Sequence, residues 1–337
     1  MDEILIPNEE LADRRGGRIP AELQQRIKEE AIAARLSGGL HAPEHGGQGW
    51  TKMEWFLVEE QLGRSTNALS KHMPGAYNVL ANGTKEQIER YLRPALRGEL
   101  HHAYAVTEAE AGSDPSRIAT TAAPSDAGWV LNGEKWFVTY GDIAAVYIVM
   151  ANALVDGEKL PTLFLVDREL GGIEIVGDPP FTHTYPHGHP TIRFENVEVG
   201  EDAVIGGIGG GDELQRAWFT EERLGIAARG VGSMWRLIEE ATAWAIDREQ
   251  GGHPDHRLSG RLLPAGRLRC GRRGRPAPHH GGGAPGRRRR RPEGRPREGL
   301  DGEALRQRGR VPLRRPRGPD LRRAGLHAHE RGGAALP

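Results

Sequence analysis

The sequence predicts an α+β chain in three folded parts. These are a helical domain at residues 1–102, a barrel-like β-domain at 103–207 and the truncated start of a second helical bundle at 208–252, followed by a disordered Arg/Gly/Pro-rich tail at 253–337. Three observations predict it. Apolar residues recur at helical spacing before residue 100 and again after residue 213. Between these stretches, short β-branched or aromatic runs are separated by Gly, Asp, Asn and Pro, a strand-and-turn pattern. Residues 251–337 contain no Phe, Tyr or Trp.

The first helix is expected after Ile19-Pro20, because Leu23, Ile27, Ala31 and Leu36 fall mostly on one face and Pro20 suits a first helical turn. A second is expected from about Lys52 to Leu62, ending at Gly63. A third should start at Thr84, where Thr84-Lys85-Glu86-Gln87 has the form of a capping box, and end near Gly98. Strands are expected at Trp129–Leu131, Tyr147–Met150, Thr162–Val166, Ile173–Val176 and Thr191–Phe194, with Asn132-Gly133 as a hairpin turn. From Glu213 to Gln250 the positions Leu224, Ala227, Val231, Met234, Ile238, Ala241 and Ala245 form a long stripe, which needs partner helices to be buried.

Composition narrows the possibilities. There is no apolar run long enough for a membrane span and no signal-peptide pattern at Met1-Asp2-Glu3-Ile4, so a cytoplasmic location is expected. The single cysteine, Cys270, excludes an internal disulfide and a Cys-based zinc cluster. The net charge of zero conceals a split: 23 of the 46 Lys and Arg residues, all Arg, and only seven of the 46 Asp and Glu residues lie in 251–337. Such a segment buries too little apolar surface to offset its ordering entropy. Gly206–Gly211 resembles a dinucleotide loop but lacks a surrounding βαβ unit, so it reads as a loop before a helix. His183, His187 and His189 lie in a Pro-rich loop without clustered acids, and no metal site is expected there.

Chemistry concentrates in four places. Tyr104-Ala105-Val106-Thr107-Glu108-Ala109-Glu110-Ala111-Gly112-Ser113-Asp114 is followed by Leu131-Asn132-Gly133-Glu134-Lys135-Trp136-Phe137-Val138-Thr139, then by Phe219-Thr220-Glu221-Glu222-Arg223, and last by Asp247-Arg248-Glu249-Gln250. Together, and in this domain order, they resemble the FAD-dependent acyl-CoA dehydrogenase family. The first resembles its flavin signature, a Thr-Glu-Pro turn leading to Ala-Gly-Ser-Asp, with Ala109 standing where Pro is usual.

The resemblance implies a set of roles. Tyr104, Val106, Thr107, Gly112 and Ser113 would line the cofactor, with Thr107 at the flavin pyrimidine edge and Ser113 near the pyrophosphate or the CoA. Phe137, Val138 and Thr139 would lie on a strand covering the flavin near its reactive nitrogen, and Trp136 takes the aromatic role if the register slips by one. Arg223 would contact the CoA. Glu222 occupies a position that holds the catalytic base in a minority of subfamilies; the usual base lies nearer the family's C-terminus. Arg248 and Gln250 would reach the FAD of a neighbouring subunit, an Arg fork being suited to a diphosphate. The implied activity is α,β-dehydrogenation of an acyl-CoA, with an electron-transfer flavoprotein as acceptor and a homodimer or homotetramer as the assembly. The alternatives are a flavin oxidase or monooxygenase of the same fold, told apart by how fast reduced flavin reacts with oxygen, or an inactive product whose basic tail binds nucleic acid.

The tail has a further explanation in the resemblance. Dropping one base from permitted codons for His253–Pro264 allows Thr-Pro-Ile-Thr-Asp-Tyr-Gln-Gly-Val-Ser-Phe, similar to a family bundle helix. The same shift over Gly325–Ala334 allows Gly-Tyr-Met-Arg-Thr-Asn-Ala-Ala-Glu-Arg, similar to the family's late Gly-Tyr…Glu-Arg segment. A frameshift near Gly251–His253 is therefore expected, with weak or absent activity because the bundle and the usual base are replaced; the family also has more helix before a segment like Ile6-Pro7-Asn8-Glu9. Sequencing the gene checks this. An intact frame, with no alternative frame encoding those segments, overturns it.

Overall fold

The computed structural model describes residues 1–183 and 185–254. The helical part comprises α1 (Glu9–Arg14), α2 (Ala21–Ala33), α3 (Lys52–Leu62), α4 (Asn67–Ser70), α5 (Lys85–Gln87) and α6 (Arg93–Leu96). It is followed by β1 (His102–Ala105), β2 (Thr121–Ser125), β3 (Gly128–Lys135), β4 (Val146–Val155), β5 (Glu158–Asp167), β6 (Ile173–Gly177), β7 (Thr191–Val199) and β8 (Val204–Ile205). The long α7 (Gly211–Asp247) comes next, and a short pair, β9 (Glu249–Gln250) and β10 (His253–Pro254), ends the described chain. Apart from His253 and Pro254, the predicted tail lies outside the described residues.

Local chemistry explains the starts of α3, α4 and α5. Thr84 caps α5, accepting from the Gln87 amide while the Gln87 side chain accepts from the Thr84 amide. Thr51 and Glu54 form the same box on α3. Pro20 stands at the N-cap with extended ψ of 145°, one position earlier than expected. The predicted 84–98 helix is not uniform: a wide i→i+5 turn at Ile88–Leu92 separates α5 from α6. Pro94 follows it, and a proline ring cannot sit against a normal helical turn four residues back.

The strands form one eight-stranded sheet in the order β6-β7-β3-β2-β4-β5-β8, with β1 pairing in parallel to β4. β4 is central because both of its faces are apolar. Tyr147, Val149 and Ala151 pack with Trp129, Phe164 and Phe194 on one side. Ile148 and Met150 pack with Leu163, Leu80 and Leu92 on the other, which joins the sheet to the helical part. The β4–β5 hairpin turns on Asp156-Gly157, both with positive φ (51° and 83°).

Asn132-Gly133 is not the hairpin turn it was expected to be. It lies inside β3, and the β2–β3 turn falls at Ser125–Gly128. The β3–β7 register shifts beside it, where Asn196 (φ 51°) bulges from β7 and its amide donates to Asn132 Oδ1 at 2.9 Å. Gly133 is required by packing, since a Cβ there would overlap the Thr120 side chain.

The apolar stripe expected on α7 is only partly its packing face. Leu224, Val231, Met234 and Ile238 are half-buried, while Ala227 and Ala241 are exposed. From residue 220 onward the buried positions of α7 are small: Gly225, Ala228 and Gly232. They let α7 lie against α3, where Gly63 contributes by lacking a Cβ that would overlap the Arg229 backbone. Ser233 Oγ donates to Gly63 O at 2.7 Å, and Arg236 pairs with Glu9 at 2.6 Å.

Candidate functional site

The first two motifs meet at the end of β3. β1 carries Tyr104 and runs directly into Val106 and Thr107, after which Glu108 and Ala111 close a tight turn through reciprocal backbone hydrogen bonds of 3.0 and 3.2 Å. Lys135, the last residue of β3, donates from Nζ to Val106 O (3.0 Å) and to Glu108 Oε1 (2.6 Å). The next amide, Trp136 N, donates to Thr107 O at 2.7 Å. Three hydrogen bonds thus tie the two motifs together.

The Lys135–Glu108 pair is buried and was not anticipated from the sequence. Glu108 also accepts from the Thr120 hydroxyl (2.5 Å) and the amides of Ala119 (2.5 Å) and Thr120 (3.1 Å). Burial pushes the Glu108 carboxyl up, but Lys135 and these donors outweigh it and hold the carboxyl below its usual value. Burial lowers the Lys135 amine to about 8 against the pull of Glu108, which leaves it an ammonium at neutral pH. The signal was present in the sequence. Trp129, Leu131 and Lys135 share strand parity, so a charged residue points inward and demands a partner.

The predicted strand through Phe137 to Thr139 ends instead at Lys135. Phe137 and Tyr140 both adopt left-handed backbone (φ 56° and 66°), outside the extended region, and the chain leaves the sheet before them. Phe137 is consequently 48% exposed, its ring near those of Phe181 and Trp136. Val138 is buried, its amide bound to Pro190 O at 2.9 Å. The Thr139 hydroxyl meets His189 Nδ1 at 2.9 Å. Thr107 is half-buried, and Gly112 and Ser113 are exposed. Tyr104 turns the other way, stacking on Trp218 with 4.4 Å between ring centroids. Among the described residues, no cluster of His, Cys, Asp or Glu could hold a metal ion.

A cavity of about 680 Å³ lies between the helical part, the start of β1 and α7. Glu221 and Glu222 both line it from α7, about three turns into the helix. Glu221 accepts from Asn78 Nδ2 at 3.2 Å, and burial raises its carboxyl despite that bond. Arg223 is exposed, its guanidinium over the Phe219 ring at 5.3 Å. The last motif lies at the exposed end of α7. Arg248 is the C-cap, and Gln250 is in β9 rather than on the helix as expected. Of the predicted residues, Val106 and Thr107 are therefore bound to the end of β3 at Lys135 and Trp136, Glu222 lines the cavity, and Arg248 and Gln250 lie beyond the helix end.

Comparison with known proteins bears on the fold and the family. The family model for the acyl-CoA dehydrogenase N-terminal domain matches residues 1–99, and that for the acyl-CoA dehydrogenase middle domain matches 103–197. A 3-(aryl)acrylate reductase of Clostridium sporogenes is 32% identical over 225 residues, covering 64% of this chain and 59% of that protein. An acyl-CoA dehydrogenase of Bacillus subtilis is 30% identical over 223 residues, with the same two coverages of 64% and 59%. The crystal structure of a Bacillus anthracis acyl-CoA dehydrogenase complexed with FAD matches with a TM-score of 0.68 at 26% identity, covering 79% of this chain and 45% of that one. The chain spans about three fifths of the length of the curated relatives it matches. Among the described residues, no helix is long and apolar enough to cross a membrane.

Proposed function

Because the chain belongs to the acyl-CoA dehydrogenase family, we propose that it is an FAD-dependent enzyme of acyl-CoA α,β-dehydrogenation. The observation that carries this is the clamp from Lys135 and Trp136 onto the carbonyls of Val106 and Thr107, with exposed Phe137 at its edge. A bulky residue held at positive φ is costly and is retained where the surroundings demand it. A solvent-facing aromatic ring in that state suits a planar ring ligand. A Cβ at Gly112 would find no heavy atom within 4 Å, so open space adjoins this exposed segment.

When bound, FAD supplies a hydride acceptor for the β-hydrogen of the thioester. The chain supplies the remaining parts. Thr107 and Ser113 offer neutral donors along the cofactor, and Val138, buried and anchored to Pro190, fixes the loop that presents Phe137. Arg248 and Gln250 at the end of α7 offer an exposed fork and amide for a diphosphate. Glu222 at the cavity wall takes the α-proton, and Arg223 on the outer face of the same helix meets the CoA phosphates. An electron-transfer flavoprotein takes up the electrons, and a homo-oligomer is the assembly.

The test is a single-turnover experiment, which detects even a slow reaction. The purified chain is expected to retain FAD through gel filtration and to lose its flavin absorbance when an acyl-CoA is added without oxygen. Phe137→Ala is expected to weaken FAD binding about tenfold, the loss of one stacked aromatic contact. Glu222→Gln is expected to abolish the bleaching while the thioester still binds. Failure to retain FAD, or bleaching unchanged in Glu222→Gln, overturns the respective assignment.

A further inference from the structure

The cavity beside Glu222 is not lined as a slot for plain hydrocarbon would be. Imidazoles of His41, His72, His101, His102 and His187 reach its wall. Burial lowers all five, His72 to about 4 and His102 to about 3, so they are neutral hydrogen-bonding rings at pH 7. Two of them keep a buried nitrogen with no partner among the described residues, His72 Nε2 and His102 Nδ1.

The charged groups at the wall nearly all have partners. Arg229 is paired with Glu59, Glu221 accepts from Asn78, and Lys28 donates to Gly98 O at 2.7 Å. Glu222 is the base proposed above. Lys71 is left over. Its side chain is half-buried at the cavity wall, and among the described residues its ammonium makes neither a hydrogen bond nor an ion pair, although it lies in the fields of Glu222, Glu59 and Arg229. Its place is fixed from behind, where Tyr140 Oη donates to Lys71 O at 2.8 Å.

A cavity-wall ammonium without an ion-pair partner and a buried imidazole nitrogen without a hydrogen-bond partner, among the described residues, are groups that an oxygen on a ligand can satisfy. We propose that the acyl group this cavity takes carries a hydrogen-bond-accepting oxygen remote from the thioester, recognised by Lys71 together with His72. This substrate class rests on the acyl-CoA function proposed above. An all-hydrocarbon chain would expel water from both groups and return nothing. Sites built to bond a substrate oxygen discriminate strongly against analogues lacking it.

Calorimetric titration of the full chain, saturated with FAD, tests this with three CoA thioesters of equal chain length: octanoyl, 8-hydroxyoctanoyl and 7-carboxyheptanoyl. At least one oxygenated thioester is expected to bind about tenfold or more tightly than octanoyl, a discrimination well within the range for a lost buried hydrogen bond. Which of the two binds better separates a neutral oxygen from a carboxylate. Lys71→Met should bring the ratio to about one, and Lys71→Arg, which keeps the cationic donor, should preserve it. Octanoyl binding as tightly as both oxygenated thioesters, or a ratio unmoved by Lys71→Met, overturns the proposal and leaves the acyl-CoA function standing. Binding of none of the three overturns both.

Discussion

Replacing Lys135 with methionine is expected to destabilise the chain by about 3–5 kcal/mol, the usual cost of stranding one member of a buried ion pair. The residue is fully buried, and its ammonium is the only full positive charge bonded to Glu108 among the described residues. Methionine fills the volume but leaves a carboxylate held by Thr120 and two amides alone. The companion change Glu108→Gln in the same chain is expected to recover much of the loss, because the uncompensated charge is gone. Urea denaturation midpoints check both. A single variant as stable as the parent, or a double variant no better than the single, would falsify the role given to the pair.

The same pair makes a pH prediction whose sign is fixed. Glu108 is held below its usual 4.5 in the folded chain, so its contribution is fully present above about pH 4.5 and is lost as pH falls through the folded value. Unfolding midpoints of the parent should drop on acidification below that point more steeply than those of Glu108→Gln. FAD affinity should fall with them, since the pair holds the Val106 carbonyl in place.

Gly232→Leu is expected to separate α7 from α3. A Cβ at this position would overlap the carbonyl oxygen of Glu60, a backbone atom that cannot rotate away. Overpacking commonly costs about 1–3 kcal/mol and more where backbone is the obstacle. The loss would spread to the contacts that depend on the same approach, the Arg229–Glu59 pair and the Ser233–Gly63 hydrogen bond. Limited proteolysis should cut within α7 in Gly232→Leu and spare the parent, and the cavity should lose thioester binding because Glu222 and Arg229 line it. A parent-like digestion pattern would count against the docking described here. Ser233→Ala serves as the milder comparison, since it removes one hydrogen bond worth about 1 kcal/mol.

Much of the fold could be read because its signals are local. Helical spacing marked α2 and α3, the Thr84–Gln87 capping box marked the start of α5, and short β-branched runs marked the strands. Asn132-Gly133 misled because an Asn-Gly pair serves a bulged strand as well as a turn, and only pairing with β7 distinguishes them. The α7 stripe misled because close helix approach selects for small residues, whereas periodicity counts large apolar ones.

What the sequence determined by itself was the domain order, the family resemblance and the motifs at 104–114, 131–139 and 219–223, all carried by residues near one another in the chain. The tertiary structure alone decided how those motifs meet. Lys135 reaches Glu108 across 27 positions and Arg229 reaches Glu59 across 170, and among the described residues Lys71 makes no hydrogen bond or ion pair beside neutral imidazoles. The physical reason is that a buried charge is defined by what surrounds it. Spacing along the chain can show that Lys135 points inward, but only the packed sheet shows that Glu108 is waiting there, and only the assembled cavity wall shows that Lys71 faces it with no bonded partner among the described residues.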